Sequence, residues 1–408
     1  MIKISSISKT IYGSVDLESS KSISNRLLII KELCKTKFEI QNLSNATDTK
    51  ILNEILDGFE TKKEINCVDA GTALRFLVAF LATKKGNWVI SGSKRMHERP
   101  VKPLLDCLVE LGAKIKYLEN NGFPPIEIKS KKLKSKKLSL PGNVSSQFIS
   151  ALLLVAPTIK GGLNLEITSK VLCKPYIDIT LGLMSEFGIK YTWEDNHINV
   201  KEQNYLSKNI KVENDWSAAS FWYSFLALSK SGEIKIPNLY ADSLQGDSVL
   251  STIYSKLGIK TEFNEDSIVL YKTKNIAKEI ELDLSNYPDL ALPIIVTCAG
   301  LGTNANLMGL ESLKIKESSR LESIKKELKK FNINCEIDSS SIKIKENQNI
   351  VQPISVIECH NDHRIAMSIA PLCMKVDSVK LDNKDVVNKS YPKFWMDFER
   401  VSKNNYQS

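Results

Sequence analysis

The sequence predicts an α/β fold of two domains that are built from repeated units. At 408 residues the chain is longer than one hydrophobic core usually fills. Apolar runs with helical spacing alternate along it with short segments of strand-like alternation. A helix end, a Gly or Asn turn and two alternating strands recur about every seventy residues, at Gly112, Gly188, Gly258 and Asn332. Regular recurrence of this kind indicates an architecture made of copies.

The composition predicts a globular protein of the cytoplasm that has no membrane partner. Hydrophobic residues make up 42% of the chain and charged residues 25%. No apolar run approaches the roughly 20 residues that span a bilayer. The N-terminus resembles neither a signal peptide nor a transit peptide. The eight cysteines form no CxxC pair and no Cys/His ligand spacing, which fits a reducing compartment.

The net charge of +9 is compatible with nucleic acid, an anionic membrane or small anions as partners. The densest lysine run, 129–137, contains no aromatic residue that could stack on bases. We therefore interpret it as a solvated loop or edge strand. The charge alone does not choose among these partners, and the prediction of small anionic substrates, with no nucleic acid and no membrane, depends on the motifs that follow.

Five predicted helix starts share one local design. Each begins with a short polar or glycine turn and ends in an apolar helical run. Between the two lie hydroxyl or amide side chains, a cationic side chain, or both kinds. These starts are 20–26, 69–75, 141–147, 316–320 and 361–364. A helix N-terminus binds anions because its first N–H groups are unpaired and carry partial positive charge. Five such starts predict a site for a heavily phosphorylated or carboxylated ligand.

The first start places a hydroxyl and a guanidinium on one face of the opening turn. Ser22 and Arg26 are four residues apart, and Lys21 lies just before the helix, where its ammonium can reach into a cleft. The alternative, an ordinary cap followed by a surface charge, remains equally open for this segment alone.

The second start and the loop that follows it add a glycine and further cations. Gly71 allows a ligand to approach the backbone closely. The loop 92–100 carries three cations and leads into a helix that we expect to begin at Pro100. Arg99 could bind a carboxylate or phosphate through two N–H groups. Taken by itself, this block reads more simply as a solvated loop.

Candidate acid and base groups lie beside these cationic segments. Asp289 precedes an apolar run and is either a helix cap or a general base. Glu317 is either a member of a helix ion pair or a catalytic carboxylate. We interpret His363 as a packed histidine and Asp215 as the cap of its helix. The sequence contains no Walker motif, no GxGxxG and no metal-ligand spacing, so we expect neither a cofactor nor a metal.

The assembled motifs resemble the 5-enolpyruvylshikimate-3-phosphate synthase family of enolpyruvyl transferases, in the same order and from about residue 14 to Pro392. The motifs that carry the resemblance are Lys21-Ser22-x-x-x-Arg26, Ala70-Gly71-Thr72-Ala73-x-Arg75, Arg95-Met96-x-Glu98-Arg99-Pro100, Ser145-Ser146-Gln147, Lys174-Pro175-Tyr176, Pro288-Asp289, Lys316-Glu317-x-x-Arg320 and Asp362-His363-Arg364-x-Ala366-Met367. Each motif is weak alone, but eight in order form a specific signal.

The resemblance implies two similar lobes, each of three βαβαββ repeats with the helices inside, in an inside-out arrangement that is barrel-like. It places the active site in the cleft between the lobes. One lobe is expected to be discontinuous, with residues 1–20 and 213–408 on the phosphoenolpyruvate side. The other is expected at 21–212, on the shikimate 3-phosphate side. The family usually works as a monomer.

The resemblance also implies a reaction and a role for each matching residue. The enolpyruvyl group of phosphoenolpyruvate moves to the 5-hydroxyl of shikimate 3-phosphate through a tetrahedral intermediate, phosphate leaves, and the product serves chorismate and aromatic amino-acid biosynthesis. The catalytic residues would be Lys21, Asp289 and Glu317. Shikimate 3-phosphate would be held by Lys21, Ser22, Arg26, Ser145, Ser146, Gln147, Tyr176, Asp289 and Lys316. Phosphoenolpyruvate would be held by Lys21, Gly71, Arg99, Gln147, Arg320, Arg364 and Lys389.

The chain departs from the family pattern at five positions. Ser19 stands where the family usually has Gly, and Asp69 replaces an Asn near the expected phosphoenolpyruvate region. Cys173 replaces a phosphate-binding Ser, and a thiol is a weak hydrogen-bond donor. Ser319 replaces an Asp, and Phe76 stands where many members have Pro. None of these changes removes a residue expected to be catalytic.

Three other functions are disfavoured by features of the sequence. A sister enolpyruvyl transferase that acts on a UDP-sugar is disfavoured by the Lys21 motif and by the lack of its cysteine loop near residue 100. An RNA 3′-phosphate cyclase-like protein would need an ATP site and a nucleotide-handling His, and neither is evident. A non-catalytic anion-binding or RNA-binding protein would be indicated by loss of Lys21, Asp289, Glu317 or Arg364, and all four are present.

Overall fold

The computed structural model describes residues 1–6, 8–129, 131–346 and 349–403. The helices are α1 (Lys21–Leu33), α2 (Thr47–Leu56), α3 (Gly71–Thr83), α4 (Lys94–His97), α5 (Lys102–Glu110), α6 (Ser146–Val155), α7 (Lys174–Glu186), α8 (Trp216–Leu228), α9 (Leu250–Ser255), α10 (Ala291–Leu301), α11 (Arg320–Lys329), α12 (His363–Ile369) and α13 (Phe394–Lys403). Short 3₁₀ turns occupy Ala156–Thr158, Gly246–Val249, Glu311–Ile315, Ala370–Met374 and Asp385–Lys389.

The strands are β1 (Ile2–Ile4), β2 (Thr10–Ser14), β3 (Ile40–Gln41), β4 (Glu64–Asn66), β5 (Asn87–Ser91), β6 (Lys114–Tyr117), β7 (Ile126–Lys129), β8 (Lys137–Leu140), β9 (Leu163–Ile167), β10 (Tyr191–Glu194), β11 (His197–Val200), β12 (Ile210–Lys211), β13 (Ser231–Pro237), β14 (Leu257–Phe263), β15 (Ser267–Ile276), β16 (Glu279–Asp283), β17 (Asn304–Met308), β18 (Cys335–Ile337), β19 (Ile342–Ile344) and β20 (Val379–Leu381). The elements alternate along the chain, so the fold is mixed α/β.

The chain divides into two compact units. Residues 1–19 and 213–408 form one, which we call the discontinuous unit, and residues 20–212 form the other, the continuous unit. No helix in the described part of the chain is long and apolar enough to cross a membrane.

Among the described strands, one sheet topology occurs four times, twice in each unit. In the continuous unit the strand orders are β4-β5-β7-β6 and β8-β9-β11-β10. In the discontinuous unit they are β2-β13-β15-β14 and β16-β17-β19-β18. In every copy the first two strands are parallel and the last two form an antiparallel pair beside the second. Each copy has two edge strands, so the described sheets remain open. The described strands form no closed barrel, and the barrel-like packing of three repeats in each lobe stays a prediction.

The repeat read from the sequence is confirmed at three of its four turns. Gly112, Gly188 and Asn332 follow α5, α7 and α11 with φ of 108°, 82° and 63°, and an antiparallel strand pair comes next. Gly258, with φ of 84°, differs in lying inside β14 and not before it. These left-handed conformations explain why Gly or Asn occupies each position.

The most apolar helices form the core of each unit. In the continuous unit α3 and α6 are buried along nearly their whole lengths, and in the discontinuous unit α8 and α10 are. Strands such as β8, β11 and β13 instead alternate between buried and exposed residues. A helix that is hydrophobic all round must be buried, whereas an alternating strand covers the core with one face.

Two local expectations can be compared directly with the structure. The helix expected from Pro100 is instead α5, which begins at Lys102 with Pro103 in its first turn, because the N–H of Val101 is bound to the carbonyl of Gly122 at 2.9 Å. The lysine run 129–137 starts at the end of β7 and ends at the first residue of β8, an edge strand. Its interpretation as loop and edge strand is confirmed for the described residues.

Candidate active site

A buried ion cluster surrounds Arg320 in the discontinuous unit. Arg320 is the first residue of α11 and its side chain is only 2% exposed. Its Nε lies 2.8 Å from Asp362 Oδ2, and its Nη2 lies 2.9 Å from Glu317 Oε2. Burial alone would lower the pKa of Arg320, but the carboxylates of Asp362 and Glu317 raise it above its ordinary value. The guanidinium is therefore held as a cation in a largely dry setting.

Asp362 connects this arginine to the next helix start. Its side chain is fully buried and caps α12, because Oδ1 accepts the backbone N–H of Arg364 at 3.0 Å. Ser318 donates its hydroxyl to Oδ2 at 3.1 Å. The sequence had placed Asp362 inside a motif without giving it a role in the site. The structure makes it the shared partner of α11 and α12.

Asp289 and Arg364 form the second part of the cluster. Asp289 lies two residues before α10, and its Oδ2 is 2.9 Å from Arg364 Nη2. Arg364 Nη1 also donates to the backbone carbonyl of Asp289 at 2.8 Å. The other carboxylate oxygen of Asp289 lies 3.6 Å from Arg320 Nη1. The candidate base is thus held between two arginines.

Glu317 joins a third cation to the cluster. Its Oε1 lies 3.2 Å from Lys389 Nζ, and both side chains are about 15% exposed. Lys316, its neighbour in the chain, ends the preceding 3₁₀ turn. The cluster therefore contains three carboxylates and three cations, so its formal charges balance. The carboxylates are Asp289, Glu317 and Asp362, and the cations are Arg320, Arg364 and Lys389. Five of these six were predicted from the sequence, and Asp362 was not.

Asp247 is a further acidic residue that sequence reasoning missed. It lies in the 3₁₀ turn Gly246–Val249, is 5% exposed and accepts the hydroxyl of Ser217. Burial raises the pKa of Asp247 to about 7, and the charge of Asp289 adds to the effect. A carboxyl group that titrates near neutrality beside a candidate base is typical of functional sites. Nothing in the local sequence distinguishes it from a surface turn.

In the continuous unit, Arg26 ties the first turns of two helices together. Its Nη1 donates to the carbonyl of Ser22 at 2.7 Å, and its Nη2 donates to the carbonyl of Tyr176, in the first turn of α7, at 2.8 Å. Its Nε donates to Thr180 Oγ1 at 2.7 Å, and its plane lies over the ring of Phe76. Burial lowers the pKa of Arg26 to about 10, and the Tyr176 side chain partly opposes this.

Two more helix starts of this unit meet through their side chains. Gln147 Nε2, in the first turn of α6, donates to Thr72 Oγ1, in the first turn of α3, at 2.9 Å. Gly71 opens α3 beside two guanidinium groups: a Cβ added there would lie 2.7 Å from Arg99 Nη1 and 2.8 Å from Arg75 Nη1. Any larger residue at this position would therefore displace at least one of the two guanidinium groups.

The start of α1 has both a cap and an ammonium group. Ser20 caps the helix by accepting the N–H of Ile23 at 3.4 Å. Lys21 Nζ lies 3.3 Å from Asp48 Oδ2, and the two side chains are 20% and 6% exposed. Ser145 caps α6 in the same way, by accepting the N–H of Gln147 at 3.4 Å.

Two of the departures from the family pattern occupy distinctive backbone or side-chain positions. Cys173 precedes α7 with φ of 57°, and its carbonyl accepts the N–H of Tyr176 at 3.1 Å. Asp69 accepts a hydrogen bond from Ser93, which caps the short helix α4. This bond joins the turn before α3 to the loop that carries Arg99. Asp69 therefore helps to hold that loop.

The predicted site residues thus fall into one group in each unit. The discontinuous unit brings together Asp289, Glu317, Arg320, Arg364 and Lys389. The continuous unit contains the four helix starts with Lys21, Ser22, Arg26, Gly71, Arg99, Ser145, Ser146, Gln147 and Tyr176. An α/β fold that concentrates cationic groups and helix starts around a few carboxylates is typical of enzymes whose substrates are small anions.

The chain belongs to the EPSP synthase (3-phosphoshikimate 1-carboxyvinyltransferase) family, whose model matches residues 57–398. It is similar to the 3-phosphoshikimate 1-carboxyvinyltransferase of Bacteroides fragilis, with 40% identity over 393 residues, 96% of this chain and 95% of the relative. The enzyme of the same name from Histophilus somni is 31% identical and covers 99% of both chains. A solved structure of EPSP synthase from Acinetobacter baumannii matches with a TM-score of 0.78 at 20% identity, over 98% of this chain and 97% of that one.

Proposed function

We propose that this chain is a 3-phosphoshikimate 1-carboxyvinyltransferase that uses the ion cluster around Arg320 and the helix starts of the continuous unit. It transfers the enolpyruvyl group of phosphoenolpyruvate to the 5-hydroxyl of shikimate 3-phosphate and releases phosphate, a step of aromatic amino-acid biosynthesis. The family membership supports the reaction. The observation that supports the residue roles is the arrangement of Asp289 and Glu317 around the buried Arg320.

In this proposal Asp289 is the general base. The 5-hydroxyl of shikimate 3-phosphate gives its proton to the carboxylate as its oxygen bonds to the central carbon of phosphoenolpyruvate. Arg364 holds both the carboxylate and the backbone carbonyl of Asp289, which leaves the carboxylate little freedom to rotate. A base that is oriented before substrate arrives contributes to the rate without a further loss of entropy.

Glu317, with Lys21, supplies the proton to the methylene carbon of phosphoenolpyruvate. The addition then gives a tetrahedral ketal phosphate. In the second step the carbon–oxygen bond to phosphate breaks, the methyl group gives a proton back to the Glu317 carboxylate, and the enol ether forms. Glu317 lies between Arg320 and Lys389, 2.9 and 3.2 Å away. Both cations can exchange this partner for an anionic substrate group, which would leave Glu317 free to carry a proton.

Shikimate 3-phosphate is assigned mainly to the helix starts of the continuous unit. The proposed ligands are Lys21, Ser22, Arg26, Ser145, Ser146, Gln147 and Tyr176, together with Lys316 and Asp289 from the other unit. Ser22 and Ser145 lie at the starts of α1 and α6, where hydroxyl and N–H groups suit a phosphate. Arg26 donates to protein acceptors through each of its three nitrogens, so it would also hold Ser22 and Tyr176 in place beside the ligand.

Phosphoenolpyruvate is assigned to cations of both units. The proposed ligands are Lys21, Gly71, Arg99, Gln147, Arg320, Arg364 and Lys389. The two substrates together bring about six negative charges, which several cations and helix starts can balance. Gly71 lies directly beside the guanidinium of Arg99, where the exposed N–H groups of the first turn can complete an anion site.

The test is phosphate release from phosphoenolpyruvate by the purified protein, with and without shikimate 3-phosphate. We expect release only with both substrates, and its loss in Asp289→Ala and Lys21→Ala. Asp106→Ala is the matched control, because that aspartate pairs only with Lys102 on an exposed helix face among the contacts described. Release with UDP-N-acetylglucosamine in place of shikimate 3-phosphate would move the chain to the sister reaction. No phosphate release with either acceptor would refute the proposal.

We also propose that the enzyme works as a monomer in the cytoplasm. The eight cysteines are free thiols, seven of them buried, which suits a reducing compartment. Light scattering on the purified protein should give the mass of one chain, 45.8 kDa. A mass of two chains at micromolar concentration would contradict the monomer.

A further inference from the structure

Glu327 is a fully buried carboxylate that the proposed reaction does not use. It lies on α11, seven residues after Arg320, so two helical turns place the two side chains on the same face. A carboxylate without solvent is stable only when it is paired and hydrogen-bonded. The partners of Glu327 show what the residue holds.

Two of those partners belong to the chain segment 356–360, which lies against α11, and a third, Lys330 at the end of α11, also bonds this segment. Glu327 Oε2 accepts the backbone N–H of Glu358 at 3.0 Å, and Glu327 Oε1 lies 3.0 Å from His360 Nε2. Lys330 Nζ lies 2.6 Å from Oε2 of the same carboxylate and donates to the carbonyl of Val356 at 2.8 Å. One buried side chain thus anchors the segment to the helix through both of its oxygens.

The anchored segment leads directly to the ion cluster. His360 and Asn361 both have φ of 52°, a left-handed conformation that is uncommon for residues other than glycine. Two such residues in succession reverse the chain, and the N–H of Asp362 closes the turn on the carbonyl of Cys359 at 2.9 Å. Directly after this turn, Asp362 lies in contact with Arg320. Strained turns of this kind persist only when their surroundings hold them.

The same residues invite comparison with a metal site, since ligand atoms of Glu327, Glu358 and His360 lie within 4.8 Å of one another. The imidazole, however, faces Glu327 through Nε2 and Glu358 through Nδ1, at 3.0 and 3.5 Å. Each ring nitrogen therefore already faces a carboxylate oxygen of the protein. Lys330 and Lys326 already balance the carboxylates. The imidazole is thus held between two carboxylates of the protein.

We infer that Glu327 and His360 are positioning residues for phosphoenolpyruvate binding. Their contact fixes the turn 360–361 against α11, and the turn fixes Asp362 on Arg320. The α11 helix is thereby joined to the start of α12 at two points, one at each end of the same helical face. Without the Glu327–His360 contact, α11 and the start of α12 are joined only through Asp362 and Arg320. The Arg320 guanidinium is then less well oriented for an anion. The inference rests on the proposed function, which gives Arg320 and Arg364 to phosphoenolpyruvate.

The experiment compares steady-state kinetics of three single variants with the wild type. Glu327→Gln keeps the shape and one acceptor but removes the charge. His360→Asn removes the imidazole and retains a residue type that tolerates the left-handed conformation. We expect the KM for phosphoenolpyruvate to rise by about tenfold in each, because a small misplacement of a binding group is costly, while the KM for shikimate 3-phosphate stays within about twofold. Lys326→Gln, which also lies on α11, is the matched control: it breaks an exposed ion pair with Glu358, leaves the Glu327–His360 contact in place, and its constants should stay at wild-type values.

The double variant Glu327→Gln/His360→Asn separates positioning from general loss of stability. If the two residues act through one contact, the double variant should resemble either single variant, and the two effects should not multiply. Equal increases in both KM values, or multiplied effects, would overturn the inference. If Glu327→Gln does not fold, as judged by circular dichroism, His360→Asn alone decides through its two KM values. A wild type that releases no phosphate refutes the proposed function and the inference with it, whereas an active wild type with unchanged variants refutes only the inference.

Discussion

Arg320 Nε lies 2.8 Å from Asp362 Oδ2, and both side chains are almost completely excluded from solvent. The pair joins the first residue of α11 to the cap of α12. A buried ion pair contributes little net stability, but removal of one partner leaves a buried charge without compensation. Arg320 and Asp362 therefore depend on each other for charge compensation.

Asp362 has two roles that substitutions can separate. Asp362→Asn keeps a good helix cap and removes one of the charges beside Arg320, while Glu317 remains 2.9 Å from the guanidinium, so we expect the free energy of unfolding to fall by about 1.5–3 kcal/mol. Asp362→Ala also removes the cap and should cost about 1 kcal/mol beyond that. Urea unfolding followed by circular dichroism measures both. Equal losses in the two variants would contradict the capping role.

Asp289→Ala should remove the base but leave a cation without its partner. Phosphate release should fall by about 10²- to 10⁴-fold, the usual contribution of general base catalysis. Arg364 would no longer be paired with the carboxylate, so the dissociation constant for phosphoenolpyruvate should stay equal or decrease. Calorimetric titration of the variant measures it. A marked loss of phosphoenolpyruvate affinity would show that Asp289 has a binding role and not a catalytic one.

Gly71→Ala should weaken the anion site selectively. The new Cβ would lie 2.7 Å from Arg99 Nη1, so this guanidinium has to move. We expect the KM for phosphoenolpyruvate to rise by about tenfold or more, with a smaller change in the KM for shikimate 3-phosphate. Gly58→Ala is the matched control, because its Cβ would meet only Lys62 Cε at 3.6 Å, an ordinary contact. A similar rise in both variants would disprove the steric explanation.

Asp247 should make the folded chain less stable as pH rises, because its carboxyl pKa is raised by burial. Burial raises the pKa of Asp247 to about 7 in the folded chain, while the unfolded chain has an ordinary value near 4. The folded state therefore holds the proton more tightly, and its stability falls as pH rises from about 4 to 7 and then levels off. The size is on the order of 4 kcal/mol.

Asp247→Asn should remove most of that slope. The free energy of unfolding, measured in urea at intervals from pH 5 to pH 8, should decline for the wild type and change less for the variant. At pH 8 the variant should be the more stable of the two. Parallel curves would show that this carboxyl group does not titrate in that range.

Arg26→Lys should disturb the start of α7 although the charge is kept. A lysine ammonium cannot reproduce bonds to Thr180 Oγ1 and to the carbonyls of Ser22 and Tyr176 at once. We expect a loss of stability of about 1–3 kcal/mol and a rise in the KM for shikimate 3-phosphate. Calorimetric unfolding and steady-state kinetics measure the two effects. Wild-type behaviour in both would mean that charge alone matters at this position.

Much of the fold was predictable because its signals are local. The turns at Gly112, Gly188 and Asn332 follow helices and have positive φ, as the residue types indicated. The helix starts were predictable for the same reason, since caps and apolar runs are written within a few neighbouring residues. The start of α5 was misplaced by two residues because the hydrogen bond that sets it, from Val101 to Gly122, joins residues far apart in sequence.

The sequence by itself determined the repeated helix-turn-strand units, the helix starts and the charged residues of the candidate site, because each is encoded by residues close together in the chain. Only the tertiary structure decided which charges meet. Asp362 lies 42 residues after Arg320, and Asp247 belongs to a turn that resembles any surface turn. Burial then decided their chemistry, because removal of water makes a pairing obligatory for Asp362 and raises the pKa of Asp247.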